Sequence, residues 1–177
     1  NLGNALVKQS RFAEAEMYFR RALTYRPNFA DAYFNLASSL REIGRLDEAV
    51  VNFRQALFLN PSSSEALLNF AVLLSEQGSF AEAEKILLNA LATKENFFEA
   101  EYNLGNVLSV QGLFREAEDC FRRALALKPD YEDAFGNLLF LLNYDPDRSG
   151  EEIFAAYHEY DKRFCQPLHR EWQVHEN

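Results

Sequence analysis

The sequence predicts an all-α fold built from repeated antiparallel helix pairs, and three observations predict it. The first is a period of thirty-four residues: Tyr33, Leu36, Ala37 and Leu40 are followed at that step by Leu67, Phe70, Ala71 and Leu74, then by Glu101, Leu104, Gly105 and Leu108, then by Phe135, Leu138, Leu139 and Leu142. The second is a small, large, small pattern at the same step in the other half of the unit: Ala15, Ala49, Ala83 and Ala117; Phe19, Phe53, Leu87 and Phe121; Ala22, Ala56, Ala90 and Ala124. The third is punctuation, with Gly44, Gly78 and Gly112 at mid-repeat and Pro27, Pro61 and Pro129 at repeat ends. Glycine takes the left-handed turn that closes a helix, and proline disfavours helical geometry in the residue before it.

In chain order, Asn1-Leu2-Gly3 aligns with Asn35-Leu36-Ala37, so the sequence is expected to begin inside a helix, as a fragment of a longer chain. A helix from about Phe12 to Tyr25 follows, with Phe12, Ala15, Phe19, Ala22 and Leu23 on one face, and Ser10 stands where later units have glycine. Each later unit is a first helix before its glycine and a second helix after it. The small residues Gly3, Ala37, Ala71 and Gly105 let paired backbones approach, and Phe53, Phe80, Phe114 and Phe121 are expected to fill the space between units. Glu95 replaces the third proline. The fifth unit breaks after its first helix, where Leu139 takes the small-residue position and NYDPDRSGEE takes the place of the glycine turn. Ser149 and Glu152 have capping-box spacing ahead of a helix from Gly150 to about Cys165. Its face of Ile153, Ala156, Tyr157, Tyr160 and Phe164 is expected to cover the last repeat. The expected domains are a repeat array over 1–142 (a partial first unit, three full units and the first helix of a fifth), a turn and capping helix over 143–166, and a linker over 167–177.

The unit resembles the tetratricopeptide repeat from Asn1 to about Leu142: a Leu-Gly or Leu-Ala pair, three spaced alanine, aromatic and alanine positions, and a closing proline. That resemblance implies a right-handed superhelical solenoid with first helices lining a concave groove. A narrower resemblance covers Asn143 to Asn177, where NYDPDRSGEEIFAAYHEYDKRF and PLHREWQVHEN are similar to the segment that joins repeats to catalysis in bacterial proteins of the O-GlcNAc transferase and SPINDLY type. It implies a sugar-transferring domain beginning beyond Asn177 and no catalytic residues within this chain.

Composition narrows the partners. A formal charge of −9 argues against a nucleic-acid backbone. No apolar run nears the ~20 residues of a membrane span and no signal segment opens the chain, so a cytoplasmic protein is expected. Cys120 and Cys165 lack disulfide spacing, and Cys120 is read as a small buried hydrophobe. Cys165, His169 and His175 are irregularly spaced and short of a fourth zinc ligand, so no metal and no cofactor is expected. His158 has no nucleophile within reach of the pattern, and glycines scattered singly make no phosphate loop. Carboxylates such as Glu14, Glu16, Glu48, Glu82, Glu84, Glu116 and Glu118 read as a solvated face rather than a catalytic pair. The fragment is therefore expected not to be an enzyme.

What remains is a row on the first helices. At 100° per residue, Asn35 points away from the packed arc, and its equivalents are Asn1, Asn69, Asn103 and Asn137. Asparagine inside an exposed helix costs about 0.5 kcal/mol relative to alanine, while neighbouring rows have diverged: Asn4, Ser38, Val72, Asn106 and Phe140 in one, Lys8, Glu42, Glu76, Val110 and Tyr144 in another. An amide donates and accepts, so such a row can hold the backbone of extended peptide segments of other proteins, with Leu68, Val72, Tyr102, Val110, Phe140 and Tyr144 seating apolar side chains. Proteins resembling O-GlcNAc transferase have such a ladder. The alternative for the same amides is bonding between neighbouring helices. A freestanding adaptor that clamps acidic tails would need cations where only Lys8 supplies one. The open ends of the array are further expected surfaces for self-association.

Overall fold

The structure is a computed structural model that describes residues 2–166. Among these residues every element is a helix and there is no strand. The described residues fall into two compact units, the first ending at Glu95 and the second beginning at Asn96. The N-terminal unit contains α1 (Leu2–Lys8), α2 (Phe12–Tyr25), α3 (Ala30–Glu42), α4 (Leu46–Leu59), α5 (Ser64–Glu76) and α6 (Phe80–Thr93). The C-terminal unit contains α7 (Phe98–Val110), α8 (Phe114–Leu127), α9 (Glu132–Tyr144) and α10 (Gly150–Tyr160), which runs on into a π-helical turn, Asp161–Cys165. This is the all-α helix-pair repeat that the period predicts.

The signature residues form the seam within each pair. Ala15, Ala49, Ala83 and Ala117 are fully buried, as are Ala37 and Ala71. A Cβ on Gly105 would lie 2.6 Å from the ring of Phe121 as that ring is placed, so alanine here would have to push the ring aside. At the same register in the N-terminal unit Ala71 faces Leu87 and Ala37 faces Phe53, all fully buried, so alanine is accommodated where the ring sits differently. Phe53 is buried with its ring between Phe34 (6.0 Å) and Phe70 (5.8 Å). The expectation that Phe80 and Phe114 would pack equally deeply is corrected. Phe80 is half-buried and Phe114 is 50% exposed, because each opens its helix and faces the turn rather than the seam.

First helices close by one hydrogen-bond scheme. The amides of Arg11, Arg45, Ser79 and Leu113 donate to the carbonyls of Leu6, Leu40, Leu74 and Leu108, and the residue before each is left-handed: Ser10 at φ 57, Gly44 at 81, Gly78 at 75, Gly112 at 78. Ser10 thus adopts the glycine conformation without being glycine. Asn96, next to the Glu95 that replaces proline, is also left-handed, at φ 56.

On the second helices of the N-terminal unit, ion pairs recur: Arg45–Glu16 at 2.8 Å, Arg20–Glu48 at 2.9 Å and Arg54–Glu82 at 2.7 Å. Apart from Glu16 their side chains are open to solvent, which screens such pairs. They link each second helix to the next.

In the C-terminal unit, Ser149 and Glu152 form the reciprocal capping box at the start of α10. The helix meets α9 through its later residues: Tyr160 and Phe164 lie edge-on to Phe135 at 5.6 and 5.9 Å, and the Tyr160 hydroxyl donates to Glu132 at 2.8 Å. Phe154 in its first half is 72% exposed.

Candidate functional site

Asn1 and the proposed linker after Gln166 lie outside the described residues. The other four asparagines fall on α3, α5, α7 and α9, each half-buried. Three share one geometry: Nδ2 of Asn35, Asn69 and Asn103 donates to the carbonyl four residues earlier, of Asp31 at 2.6 Å, Glu65 at 2.9 Å and Glu99 at 2.7 Å. A carbonyl can only accept, so this bond fixes which end of the amide is nitrogen. It also draws the side chain back along its own helix, which is why these residues are half-buried rather than pointing straight outward. Their Oδ1 atoms accept no bond from the described residues. Asn137 differs, donating to Oδ1 of Asn106 on α7 at 2.7 Å. Bonding between neighbouring helices therefore occurs at one amide of the four; the residues preceding the others at that register are Asn4, Ser38 and Val72.

The apolar residues assigned to this face divide by unit. In the N-terminal unit Leu68 and Val72 are half-buried. Glu76 is held by Arg41 of α3, with Nε to Oε2 at 2.9 Å, and that hydrogen bond keeps the Glu76 carboxyl below the usual carboxylate range. In the C-terminal unit Tyr102 is engaged in packing, its ring 4.9 Å from Tyr131 and 6.0 Å from Phe121. Burial pushes the Tyr131 phenol up to about 12, and the Lys128 ammonium lies 4.8 Å over Phe98 and 5.1 Å over Tyr131. Val110, Phe140 and Tyr144 are 64%, 59% and 68% exposed, with Phe140 and Tyr144 ring to ring at 4.7 Å. Asp31, Glu65, Glu99 and Asp133 stand in the first turns of the same helices, where the helix dipole favours a negative charge, and make no ion pair among the described residues.

Other sequence assignments fare unevenly. Cys120 is buried, and burial above all pushes its thiol up to about 12, the state of an inert packing residue. Cys165 is half-buried, while His169 and His175 lie outside the described residues. Among the described residues no group of three His, Cys, Asp or Glu could hold a metal, and no helix is long and apolar enough to cross a membrane. Glu118 corrects its assignment to the solvated face. It is 5% exposed and accepts two bonds from Arg148 Nη2, at 2.8 and 2.9 Å, while pairing with Arg122 at 2.7 Å. The signal for it lay in Arg148 of the aberrant turn, which supplies a cation with no counterpart in regular units.

Family models of the tetratricopeptide repeat match residues 1–52, 40–100 and 98–131. No curated protein sequence matches the chain. Among solved structures, MamA from Desulfovibrio magneticus RS-1 is similar at TM-score 0.82 and 18% identity, over 98% of this chain and 94% of that one. PilF of Pseudomonas aeruginosa is similar at TM-score 0.82 and 24% identity, over 93% and 72%. YrrB, a tetratricopeptide protein with an unusual peptide-binding site, is similar at TM-score 0.79 and 22% identity, over 97% and 89%. At these identities the likeness establishes the fold. With the period, the seam and three adjoining family matches in agreement, the chain belongs over residues 1–131 to the tetratricopeptide repeat proteins and is a protein-interaction domain.

Proposed function

We propose that the first-helix faces of the two units bind extended peptide segments of other proteins, through the side-chain amides of Asn35 and Asn69 in one and of Asn103 and Asn137 in the other. The observation that carries this reading is the repeated geometry of the first three. One N–H is spent on the helix's own carbonyl, which fixes the amide's orientation, while Oδ1 and the second N–H have no partner among the described residues. A pre-oriented donor and acceptor match the two groups that every peptide unit offers, so recognition is broad rather than sequence-specific. Leu68 and Val72 in one unit and Val110, Phe140 and Tyr144 in the other add apolar contact, while Tyr102 supports the face from below. Peptide binding by YrrB is consistent with such a use of the fold. Delivery of the bound segments to a protein O-glycosyltransferase domain rests on the resemblance of Asn143–Asn177 alone. A freestanding adaptor or assembly scaffold needs no further domain.

Titration of isotope-labelled protein with four unrelated, unstructured 15-residue peptides tests the reading. The side-chain amide resonances of Asn35, Asn69 and Asn103 are expected to shift together and saturably with each peptide. Absence of any shift at roughly millimolar peptide, where even a weak complex is populated, would overturn it.

A further inference from the structure

The turn between α9 and α10 departs from every other first-helix turn. The period places Pro146 where Gly44, Gly78 and Gly112 stand, and the chain runs out through Asp145–Ser149 instead of closing on α9. This strap is fastened at three points. The Asp147 amide donates to the Asp145 carboxylate at 3.0 Å, Arg115 of α8 pairs with Asp147 at 2.8 Å, and Arg148 grips the buried Glu118. Between the strap and the start of α8 lies a cleft of about 440 Å³, lined by Leu113, Phe114, Leu141, Tyr144 and Pro146. Its size is that of a small-ligand cleft, enough for one large side chain and part of a neighbour. Leu141 is buried, while Phe114 and Tyr144 remain open to solvent.

Charge says what fits. The cleft and the charged hollow beside it hold six carboxylates against three arginines, Arg115, Arg122 and Arg148. Each arginine is already bound to a carboxylate, whereas Glu116 makes no ion pair among the described residues and Asp119 has only the longer-range field of Arg123. We infer that this cleft is an anchor socket for a partner peptide in which a bulky apolar residue stands next to a lysine or arginine. The inference rests on the peptide-binding reading of the first-helix face, because Tyr144, whose ring meets Phe140 of that face, also lines the cleft. The strap makes the socket rigid before binding, so its formation costs the complex little ordering entropy.

Fluorescence anisotropy with three labelled 12-residue Gly-Ser peptides, each with one central Phe flanked by Lys, Ser or Glu, tests it. The Lys-flanked peptide is expected to bind at least about three-fold more tightly than the Glu-flanked one, and replacing its Phe by Ser to cost about ten-fold. Phe114→Ala should remove most of the dependence on Phe, and Glu116→Lys should remove the preference for Lys; both residues are exposed, and circular dichroism of each variant confirms the fold. Equal affinity for the three peptides, no binding of any, or a Phe114→Ala effect on self-association in sedimentation instead of on peptide affinity would each overturn the socket. The two readings fail separately. Alanine at Asn35, Asn69 and Asn103 leaving every affinity unchanged sinks the amide face and spares the socket. Weakened binding in that variant, with no effect of Phe114→Ala and Glu116→Lys, does the reverse.

Discussion

At the C-terminal ends of its first helices the N-terminal unit places Glu42 and Glu76, and Arg41 closes on Glu76 from the neighbouring helix. At the same register the C-terminal unit places Val110 and Tyr144, with the exposed Phe140 beside them. The backbone of the two units is nearly one pattern, yet one face ends in an ion pair and the other in apolar surface. The difference teaches which positions the fold leaves open. Seam residues are confined by contacts such as Gly105 against Phe121, whereas Glu42, Glu76, Val110 and Tyr144 at the ends of first helices are exposed and outside the seam. Partner choice can therefore change there without disturbing the stack.

The largest effects should come from the seam. Phe121→Ala and Phe53→Ala should each cost about 3–5 kcal/mol in urea denaturation, since both rings are fully buried. Gly105→Ala should cost about 1–3 kcal/mol by overpacking against Phe121, and much less in a Phe121→Leu background that reproduces the Ala71 and Leu87 pairing of the other unit. An equal penalty in both backgrounds would show that the glycine is not there to admit the ring.

A middle-sized effect separates two neighbouring glutamates. Glu118→Ala should destabilise by about 1–2 kcal/mol, below the figure for a fully buried pair because Arg122 and Arg148 stay partly solvated. Glu116→Ala should change stability by less than about 0.5 kcal/mol. Similar losses for both would deny Glu118 its role in fastening the strap.

Smaller still is a pH effect confined to that strap. Asp145 is held below the usual carboxylate range chiefly by the Asp147 N–H, and Glu152 chiefly by the Ser149 N–H. Stabilisation from depressed carboxyls is complete above the ordinary carboxylate pKa and is lost as pH falls through the depressed values. The Asp147 and Ser149 amide resonances should therefore titrate below the ordinary carboxylate range. Titration at ordinary carboxylate values would remove these hydrogen bonds from the account.

Periodicity made the repeats legible, because seam residues recur wherever two helices must approach. Ser10 could be placed in a glycine turn from its register alone, and its φ of 57 agrees. The direction of the asparagines was half legible. Rotation per residue gives the face, but the bond to the carbonyl four residues back is a rotamer choice that no period encodes. Asn137 needed Asn106 on another helix, and Glu118 needed Arg148 thirty residues away, so both depended on tertiary partners outside the repeat rule. The strap was visible as an aberrant stretch. Its cleft was not, since a cavity is a property of how Pro146 and Phe114 are placed together.

The smallest stability change carries the most functional weight. Replacing Asn35, Asn69 and Asn103 together by alanine removes bonds made only within their own helices and gains about 0.5 kcal/mol of helix propensity per site, so the melting temperature should hold or rise slightly. The same variant should lose peptide affinity by about ten-fold or more, since each site gives up a pre-oriented donor and acceptor. Melting temperature and peptide affinity measured side by side on this one triple variant test the central claim most directly: unchanged or raised stability with lost binding is predicted, and earlier melting with unchanged affinity would contradict it.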